Sequence, residues 1–539
     1  MKRVISVMLL VLNAMCGWAD DEVRLFKCDE KALETYRCSF FTTAEVCVKG
    51  RFEQPRGKMT GVIYHEDHFS DTSSPLAVEV KEDGTFERWF TVHHPVRNDI
   101  RFDSHAIPFY VEPGHTVNLF IRRDGRVEYT DENGKPSPCA AYLTSCLDEV
   151  GHYGYDSFAN DVKTMGFREF GCKMDSIAAK VDEQLSRVAI RSGFSTLDYV
   201  MARNEKLLRL ANTMLDFQLE KSEMAREQWF ATGIPVDSAL KAELADVANY
   251  RVLRFLPADD PMLLAFANYS VIQNRYTHSP VVRDRSTYQN DDFVGYENEP
   301  PARDSLLAVI DREIFGGPSL SMLAKIHLLN IFATRDVKRS VSVSPDYSEE
   351  QRRQCLAQKE AELQETMARM KNMLGCEALI GHLERIYQRH IATKDNVYAL
   401  PLSEATIALR RITDKFRGRY VFIDFWSTGC GPCRQGIEHT KEVREAMRDN
   451  PEVAFVFITN EEESPKGKYD DYVAKHLVGE HTYRVSAADY IRLRELFQFN
   501  GIPHYEVLDK EGNVVRGDFR YYNISTFNQQ MEKIKSMTE

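Results

Sequence analysis

Two cysteines separated by only two residues, Cys430 and Cys433, carry the most informative chemistry in this chain. They follow an apolar segment, 420–423, whose β-branched and aromatic residues predict a buried strand. Apolar residues then recur at helical spacing, so both thiols are predicted at the start of a helix. A helix N-terminus stabilises a thiolate on the first sulfur, and the two sulfurs can close a disulfide with little backbone movement. The pattern indicates dithiol–disulfide exchange.

A structural zinc site and a peroxide-reducing cysteine are the alternatives for this pair. Zinc needs two further ligands, usually a second pair, but the sequence has no second C-x-x-C and His439 stands alone on the same helix. A peroxidatic cysteine is disfavoured because Thr428 lies two residues before Cys430, whereas the peroxiredoxin pattern places it three before. We therefore expect no metal and no redox cofactor.

One carboxylate interrupts the apolar strand. Asp424 lies six residues before Cys430, between Ile423 and Phe425. Burial raises the pKa of a carboxyl group, and a raised acid near the start of the helix could carry the proton of the second thiol. The alternative is a carboxylate turned to solvent at the end of the strand.

The stretch 424–434, Asp-Phe-Trp-x-x-x-Cys-Gly-Pro-Cys-Arg, resembles the thioredoxin superfamily. The matching positions of the active-site loop include Trp426, Gly431 and Pro432. The resemblance supports Asp424 as the residue that shuttles a proton. In such a site Cys430 would be the exposed nucleophile, and Cys433 would be the resolving thiol.

A second element supports the resemblance. The sequence Ile502-Pro503 precedes a predicted strand at 504–508. The superfamily has a cis-proline at this point of the fold, facing the cysteines, and its substrates pair with the backbone just before it. The resemblance therefore implies a cis peptide bond before Pro503 and a substrate-binding role for Ile502.

The distance from the cysteine pair to this proline is longer than in a minimal thioredoxin. An additional helix at 469–477 and strand at 482–485 fit between them. This insertion resembles the TlpA/ResA branch of extracytoplasmic thioredoxin-like proteins, which implies protein disulfides as substrates and a membrane thiol transporter as electron donor. The sequence departs from the pattern of this branch at two positions. Gly436 stands where the branch usually has a glutamate, and Gly429 stands where it commonly has a tryptophan.

The N-terminus predicts export. Two basic residues precede an apolar run at 4–15, and small residues follow, which is typical of a signal peptide spanning 1–19. The run is shorter than the roughly 20 apolar residues of a membrane span, so an uncleaved anchor is the lesser alternative. Cys16 permits a lipoprotein, but the preceding Met15 is bulky where a small residue is expected. We expect a periplasmic or cell-envelope protein.

Net charge and cysteine content limit the classes of partner and the kinds of cross-link that we expect. The net charge is −12, and it becomes −14 when Lys2 and Arg3 leave with the signal peptide. An acidic chain with no long basic run disfavours nucleic-acid binding. Eight cysteines remain outside the C-x-x-C, and in an exported protein they permit structural disulfides. Their clustering favours pairs within Cys28, Cys38 and Cys47, or between Cys139 and Cys146.

The chain is long enough for several cores. We expect a multidomain protein in which an antiparallel β domain (20–139) and a mostly α-helical domain (140–395) precede a C-terminal α/β thioredoxin-like fold (396–539). The β domain loosely resembles one found ahead of thioredoxin modules in Bacteroidetes-type exported proteins. Its adjacent His93 and His94 are expected to be a solvated pair on opposite faces of a strand.

Patterning defines the helical domain. Residues 195–198 form a capping-box variant that should open a helix, and an apolar stripe at 356–374 should end at Gly375. The polar segment 277–304 is expected to be an insertion between helices.

These features predict an extracytoplasmic protein-disulfide oxidoreductase that reduces or isomerises disulfides. The Gly-Pro dipeptide matches the reducing thioredoxins rather than strong oxidants. The alternatives are a redox-inactive binding or scaffold protein, and a hydrolase in the helical region, for which no catalytic motif is visible. The first two domains are expected to select substrates or set the oligomeric state, or else only to tether the redox module.

Overall fold

The computed structural model describes residues 25–538 except 56, 70–71, 103–104, 283–299, 338–339, 341–346, 393–396, 518 and 520. The signal peptide 1–19 and Cys16 lie outside the described residues. Within these ranges no helix is both long and apolar enough to cross a membrane.

An eight-stranded sheet forms the N-terminal part. Its strands are β1 Ala44–Phe52, β2 Met59–Asp67, β3 Thr72–Val80, β4 Thr85–Val92, β5 Val96–Phe102, β6 His105–Val111, β7 Thr116–Ile121 and β8 Val127–Thr130. They are ordered β6-β5-β2-β3-β4-β1-β7-β8, and all neighbours are antiparallel except β1 and β7. Alternate residues point inward, as Val117, Leu119 and Ile121 do in β7. Gly84, Gly114 and Gly125, in turns between strands of this sheet, all have positive φ.

A short helix precedes this sheet. Helix α1, Glu30–Cys38, begins at Asp29, whose side chain accepts a hydrogen bond from the Ala32 amide. Its Leu33 packs into the core of the helical part rather than into the core of the sheet. The range expected to be a β domain therefore contains a helix that belongs, by its packing, to the next part of the chain.

Helices dominate the middle of the chain. They are α2 Ala140–Thr144, α3 Tyr155–Thr164, α4 Phe167–Ala178, α5 Val181–Ser192, α6 Thr196–Thr232, α7 Ser238–Ala245, α8 Tyr269–Thr277, α9 Pro300–Phe315, α10 Met322–Ile331, α11 Glu349–Leu374 and α12 Glu377–Ala392. Two 3₁₀ segments, Val247–Phe255 and Pro261–Ala265, and a π turn, Phe332–Asp336, connect some of them.

The predicted helix boundaries in this part are confirmed. Ser195 and Asp198 form a reciprocal capping box at the start of α6, and Gly375 ends α11 in the left-handed conformation. The expected insertion 277–304 is helical at both ends, in α8 and α9, and its middle lies outside the described residues.

A six-stranded sheet forms the C-terminal part. Its strands are β9 Val397–Tyr398, β10 Tyr420–Phe425, β11 Val453–Asn460, β12 His481–Val485, β13 His504–Leu508 and β14 Val514–Val515, in the order β12-β11-β10-β13-β14-β9. Its helices are α13 Glu404–Thr413, α14 Gly431–His439, α15 Lys441–Met447, α16 Lys466–His476, α17 Ala487–Phe497 and α18 Ile524–Thr538, and a 3₁₀ turn, Asp414–Phe416, follows α13. The expected additional helix and strand are α16 and β12.

Strand β10 is central in this sheet and buried along its whole length. It runs parallel to β11 and antiparallel to β13. Tyr420 and Phe422 face one hydrophobic core, whereas Val421, Ile423 and Phe425 face the other. A strand covered on both faces needs a continuous apolar sequence, which is why the polar Asp424 within it is informative.

Two expectations about the first four hundred residues are wrong. In the part of the chain that the structure describes, the eight cysteines outside the C-x-x-C are free thiols, including Cys139 and Cys146. His94 is buried and stacks on Phe40, and the ring of His93 contacts that of His382. Neither histidine is a solvated strand residue, because the helical part covers this end of the sheet.

Candidate redox site

The cysteine pair lies at the start of helix α14, directly after the carboxyl end of strand β10. Cys430 is the N-cap residue, and its sulfur accepts a hydrogen bond of 3.1 Å from the Cys433 amide. Gly431 and Pro432 form the first turn, where proline costs nothing because its missing N–H would have no partner there. The two cysteines are joined by a disulfide, with their Cα atoms 5.3 Å apart.

The two sulfurs differ in exposure. Cys433 is completely buried, whereas Cys430 is partly exposed and is flanked by the exposed residues Gly429 and Gly431. The amides at the start of the helix point toward Cys430, and they stabilise negative charge on its sulfur after reduction. This asymmetry fits an outer sulfur that reacts with substrates and an inner sulfur that is reached only through the outer one.

Asp424 is the only carboxylate of strand β10, and it is 9% exposed. Burial raises its pKa to about 7, and the guanidinium of Arg444 acts in the opposite direction. Its Oδ1 has no hydrogen-bond partner among the described residues. The alternative of a solvated carboxylate is wrong, and a carboxyl with this pKa can accept and release a proton near neutral pH.

Arg444 supports the site from α15, and nothing in the sequence pattern singled it out. Its side chain is buried and forms an ion pair of 3.1 Å with Glu480. It also donates to the Ile437 carbonyl at 2.9 Å, near the end of helix α14. A cation at this end of a helix is favourable because the last carbonyls lack partners within the helix.

The loop before β13 faces the outer sulfur. The Ile502–Pro503 peptide bond is cis, as the superfamily resemblance implies. The Ile502 carbonyl oxygen lies 3.8 Å from Cys430 Sγ. Phe499, at the start of this loop, stacks on His504, with ring centroids 4.0 Å apart. The structure therefore brings Cys430, Ile502 and Pro503 together, although about seventy residues separate them.

Trp426 lies on the inner side of the site. It is completely buried, and its ring packs against Tyr472 of α16 at 5.0 Å between centroids. Its backbone amide donates to the Ile458 carbonyl at 3.0 Å. Trp426 is thus a packing residue that joins the loop after β10 to the inserted helix, rather than an exposed substrate contact.

A cavity of about 510 Å³ opens beside the site. Asp424, Gly436 and Pro503 are among its lining residues, so the buried carboxyl has access to a space that admits water. A side chain at Gly436 would start 2.9 Å from the Tyr505 hydroxyl. The hydroxyl of Tyr505 would therefore have to shift to admit a side chain at position 436.

Comparison with known proteins identifies the C-terminal fold. Residues 418–514 match a family model described as thioredoxin-like. This match confirms the thioredoxin-like fold of the C-terminal part and supports oxidoreductase activity. It covers a small part of the chain, and no curated protein matches the chain.

Solved structures of bacterial redox proteins are similar to about a quarter of this chain. The thioredoxin domain of a Bacteroides vulgatus thiol-disulfide oxidoreductase is 21% identical over 22% of this chain and 81% of that chain, with a TM-score of 0.20. A thiol:disulfide interchange protein from Bacteroides sp. is 20% identical over 23% and 77%, with a TM-score of 0.20. A thioredoxin family protein from Chlorobium tepidum is 17% identical over 26% and 92%, with a TM-score of 0.20.

Proposed function

We propose that this protein is an extracytoplasmic thiol-disulfide oxidoreductase that reduces or isomerises disulfides of cell-envelope proteins. The observation that carries the proposal is the asymmetric pair: a partly exposed Cys430 at the start of a helix, bonded to a buried Cys433. The family match of this region to thioredoxin-like domains supports it.

The reaction begins with the reduced pair. The Cys430 thiolate attacks one sulfur of a substrate disulfide and forms a mixed disulfide, while the other substrate sulfur leaves as a thiolate and takes a proton from water. The Ile502 backbone, close to Cys430 Sγ, is the surface against which the substrate strand binds.

The second step involves the inner thiol. Asp424 accepts the proton of Cys433 through water in the adjoining cavity, and the Cys433 thiolate attacks Cys430 Sγ. The second substrate thiolate leaves, so the substrate disulfide gains two electrons and the enzyme becomes the disulfide form of this structure. An external dithiol must then reduce the enzyme, and we propose a membrane thiol transporter as that donor.

The finer assignments form part of the same proposal. The inserted helix α16 and strand β12 favour the TlpA/ResA branch, although Gly436 departs from it. The predicted signal peptide favours the periplasm, with a lipid anchor on Cys16 as the lesser alternative.

Reduction of insulin disulfides tests the activity, with Cys430→Ser as the control. A Cys433→Ser protein should retain substrates as mixed disulfides, whereas Cys430→Ser should retain none. Titration in glutathione buffers tests the direction: we expect a potential near that of thioredoxin, about −270 mV. A potential above about −150 mV would identify an oxidant instead.

A further inference from the structure

Helix α17, which leads into the loop before Pro503, lies against the N-terminal sheet. Glu495 accepts a hydrogen bond of 2.8 Å from the Ala77 amide of β3 and forms an ion pair of 2.5 Å with Arg88 of β4. Both charged side chains of this pair are only about a quarter exposed, at 26% and 27%. The redox domain therefore contacts the sheet through the helix that carries its substrate-facing loop.

Arg494, on the same helix, contacts the sheet and the loop at once. Its guanidinium lies 5.5 Å from the ring centroid of Tyr64 in β2, and Nη1 lies 3.5 Å from the Tyr64 hydroxyl. Its Nη2 donates to the Asn500 carbonyl at 2.6 Å and also to the side-chain oxygen of Asn500. A second guanidinium, that of Arg101, lies 5.6 Å from the same ring. Tyr64 thus holds Arg494 by a cation–π contact while Arg494 holds the loop.

The carbonyl that Arg494 holds belongs to the loop that faces the reacting sulfur. Asn500 is two residues before Ile502, whose carbonyl lies 3.8 Å from Cys430 Sγ. Gly501 between them has no side chain, and a Cβ there would meet nothing within 4 Å. Side-chain packing therefore does not hold the backbone at Gly501, and the hydrogen bonds from Arg494 hold the residue just before it.

We propose that Arg494, held by Tyr64, is a positioning residue that fixes the loop 499–503 opposite Cys430 for binding of a protein disulfide. The inference rests on the proposed function and extends it: the N-terminal sheet contributes to substrate binding without touching the substrate. A loop that is fixed before binding loses less conformational freedom when the substrate strand pairs with it. The planar guanidinium suits this role because one group can serve several acceptors.

The experiment compares two arginines of one helix in the full-length mature protein. Arg494→Gln removes the loop contact. Arg492→Gln is the matched control, because Arg492 forms an ion pair of 2.7 Å with Glu79 of the same sheet, and among the described residues no hydrogen bond or ion pair joins it to the loop. Tyr64→Leu removes the aromatic ring from the sheet side, and Tyr64→Phe retains it.

Three measurements separate positioning from chemistry. With a peptide disulfide as substrate, Arg494→Gln and Tyr64→Leu should raise KM about tenfold with little change in kcat. Alkylation of Cys430 by iodoacetamide, which needs no strand pairing, should keep its wild-type rate. Hydrogen exchange of the amides at 499–502 should become faster. Arg492→Gln and Tyr64→Phe should behave as the wild type in all three.

The outcomes distinguish this inference from the proposed function. An equal rise of KM in Arg492→Gln and Arg494→Gln would overturn the positioning role, as would unchanged hydrogen exchange in Arg494→Gln. A parallel fall in alkylation rate would mean that the site itself is damaged, which also contradicts the inference. A wild-type protein that reduces no disulfide would overturn the proposed function, and loop exchange would still decide the role of Arg494.

Discussion

Cys47, within the N-terminal sheet, and Cys430, beside the C-terminal sheet, are thiols in very different surroundings. Cys47 lies within strand β1 of the N-terminal sheet, where it is buried, and burial raises its pKa to about 11. Cys430 lies beyond the end of strand β10, at the start of a helix, and is partly exposed. The first is held as a neutral thiol, and the second lies where a thiolate is stabilised and can be reached.

The difference shows that the reactivity of a cysteine depends on its place in the fold and not on how many cysteines the chain contains. Among the described residues, eight free thiols, including the buried Cys139, lie outside the redox pair. Cys139 is itself the N-cap residue of helix α2, but burial raises its pKa well above the ordinary value, so a helix start that is closed to solvent does not give a reactive thiol. A strand interior removes water and offers no unpaired amides, because its backbone groups are already bonded to neighbouring strands. A helix N-terminus after a strand end offers both solvent and unpaired N–H groups.

The largest expected effect is on the rate of disulfide reduction, and it tests the contrast between Cys430 and Cys47 directly. Cys430→Ser should lower the rate of insulin reduction by about a thousandfold or more, because the nucleophile is lost. Cys47→Ala should change the rate by less than about twofold, since a neutral buried thiol takes no part. A comparable loss of activity in both variants would show that the thiol of the N-terminal sheet contributes to exchange.

The second prediction concerns the proton of the buried sulfur. Asp424 has its pKa raised from 3.8 to about 7 in the folded protein, so the folded state binds more protons than the unfolded state between these values. The contribution of Asp424 to the free energy of unfolding is therefore most favourable below about pH 4, and it falls as the pH rises to about 7. About three pKa units correspond to at most about 4 kcal/mol.

Asp424→Asn should remove this pH dependence. Chemical denaturation at pH 4 and pH 8 should show a variant that gains stability relative to the wild type only at the higher pH. Because the proton acceptor is lost, disulfide exchange at pH 7 should slow by about tenfold or more. A variant with the wild-type pH profile of exchange would show that the Cys433 proton leaves by another route.

The third prediction tests what holds the reactive helix. Arg444→Met leaves Glu480 buried without its ion-pair partner and removes the shorter of the two side-chain hydrogen bonds to the Ile437 carbonyl. The free energy of unfolding should fall by about 3 kcal/mol, as is typical when one member of a buried pair is removed. Arg448→Met, on the exposed residue just after the same helix, should change it by less than about 0.5 kcal/mol. Equal effects of the two variants in urea titrations would contradict the supporting role of Arg444.

The smallest expected effects concern stability, and they come from substituting one glycine in the N-terminal sheet and one in the redox domain. An added Cβ at Gly50 of β1 would lie 2.1 Å from the Phe86 ring in the core of the sheet, so Gly50→Ala should cost about 2 kcal/mol. At Gly436 it would meet only the terminal hydroxyl of Tyr505, which can move. The better helix propensity of alanine offsets this contact, so Gly436→Ala should change stability by less than about 0.5 kcal/mol. Thermal unfolding of both variants would check the order, and a costlier Gly436→Ala would reverse it.

The sequence by itself determined the features that depend on neighbours along the chain. The apolar run of β10 predicted a buried strand, and the Cys-Gly-Pro-Cys spacing predicted a helix start. The residues beside Asp424 favoured its burial, although a solvated carboxylate stayed open as the alternative. The capping box at Ser195 was equally predictable from the sequence. These elements are local because their hydrogen bonds and burial patterns repeat within a few residues.

Only the tertiary structure decided which distant residues meet. Arg494 and Tyr64 are 430 residues apart, and no periodicity in either segment predicts their contact. The expectation of structural disulfides was wrong because clustering along the chain does not bring cysteine side chains together in space. His94 is buried because Phe40, from a segment of no obvious pattern, covers that end of the sheet. Such contacts depend on how complete helices and strands pack against one another, and no single segment of the sequence predicts that packing.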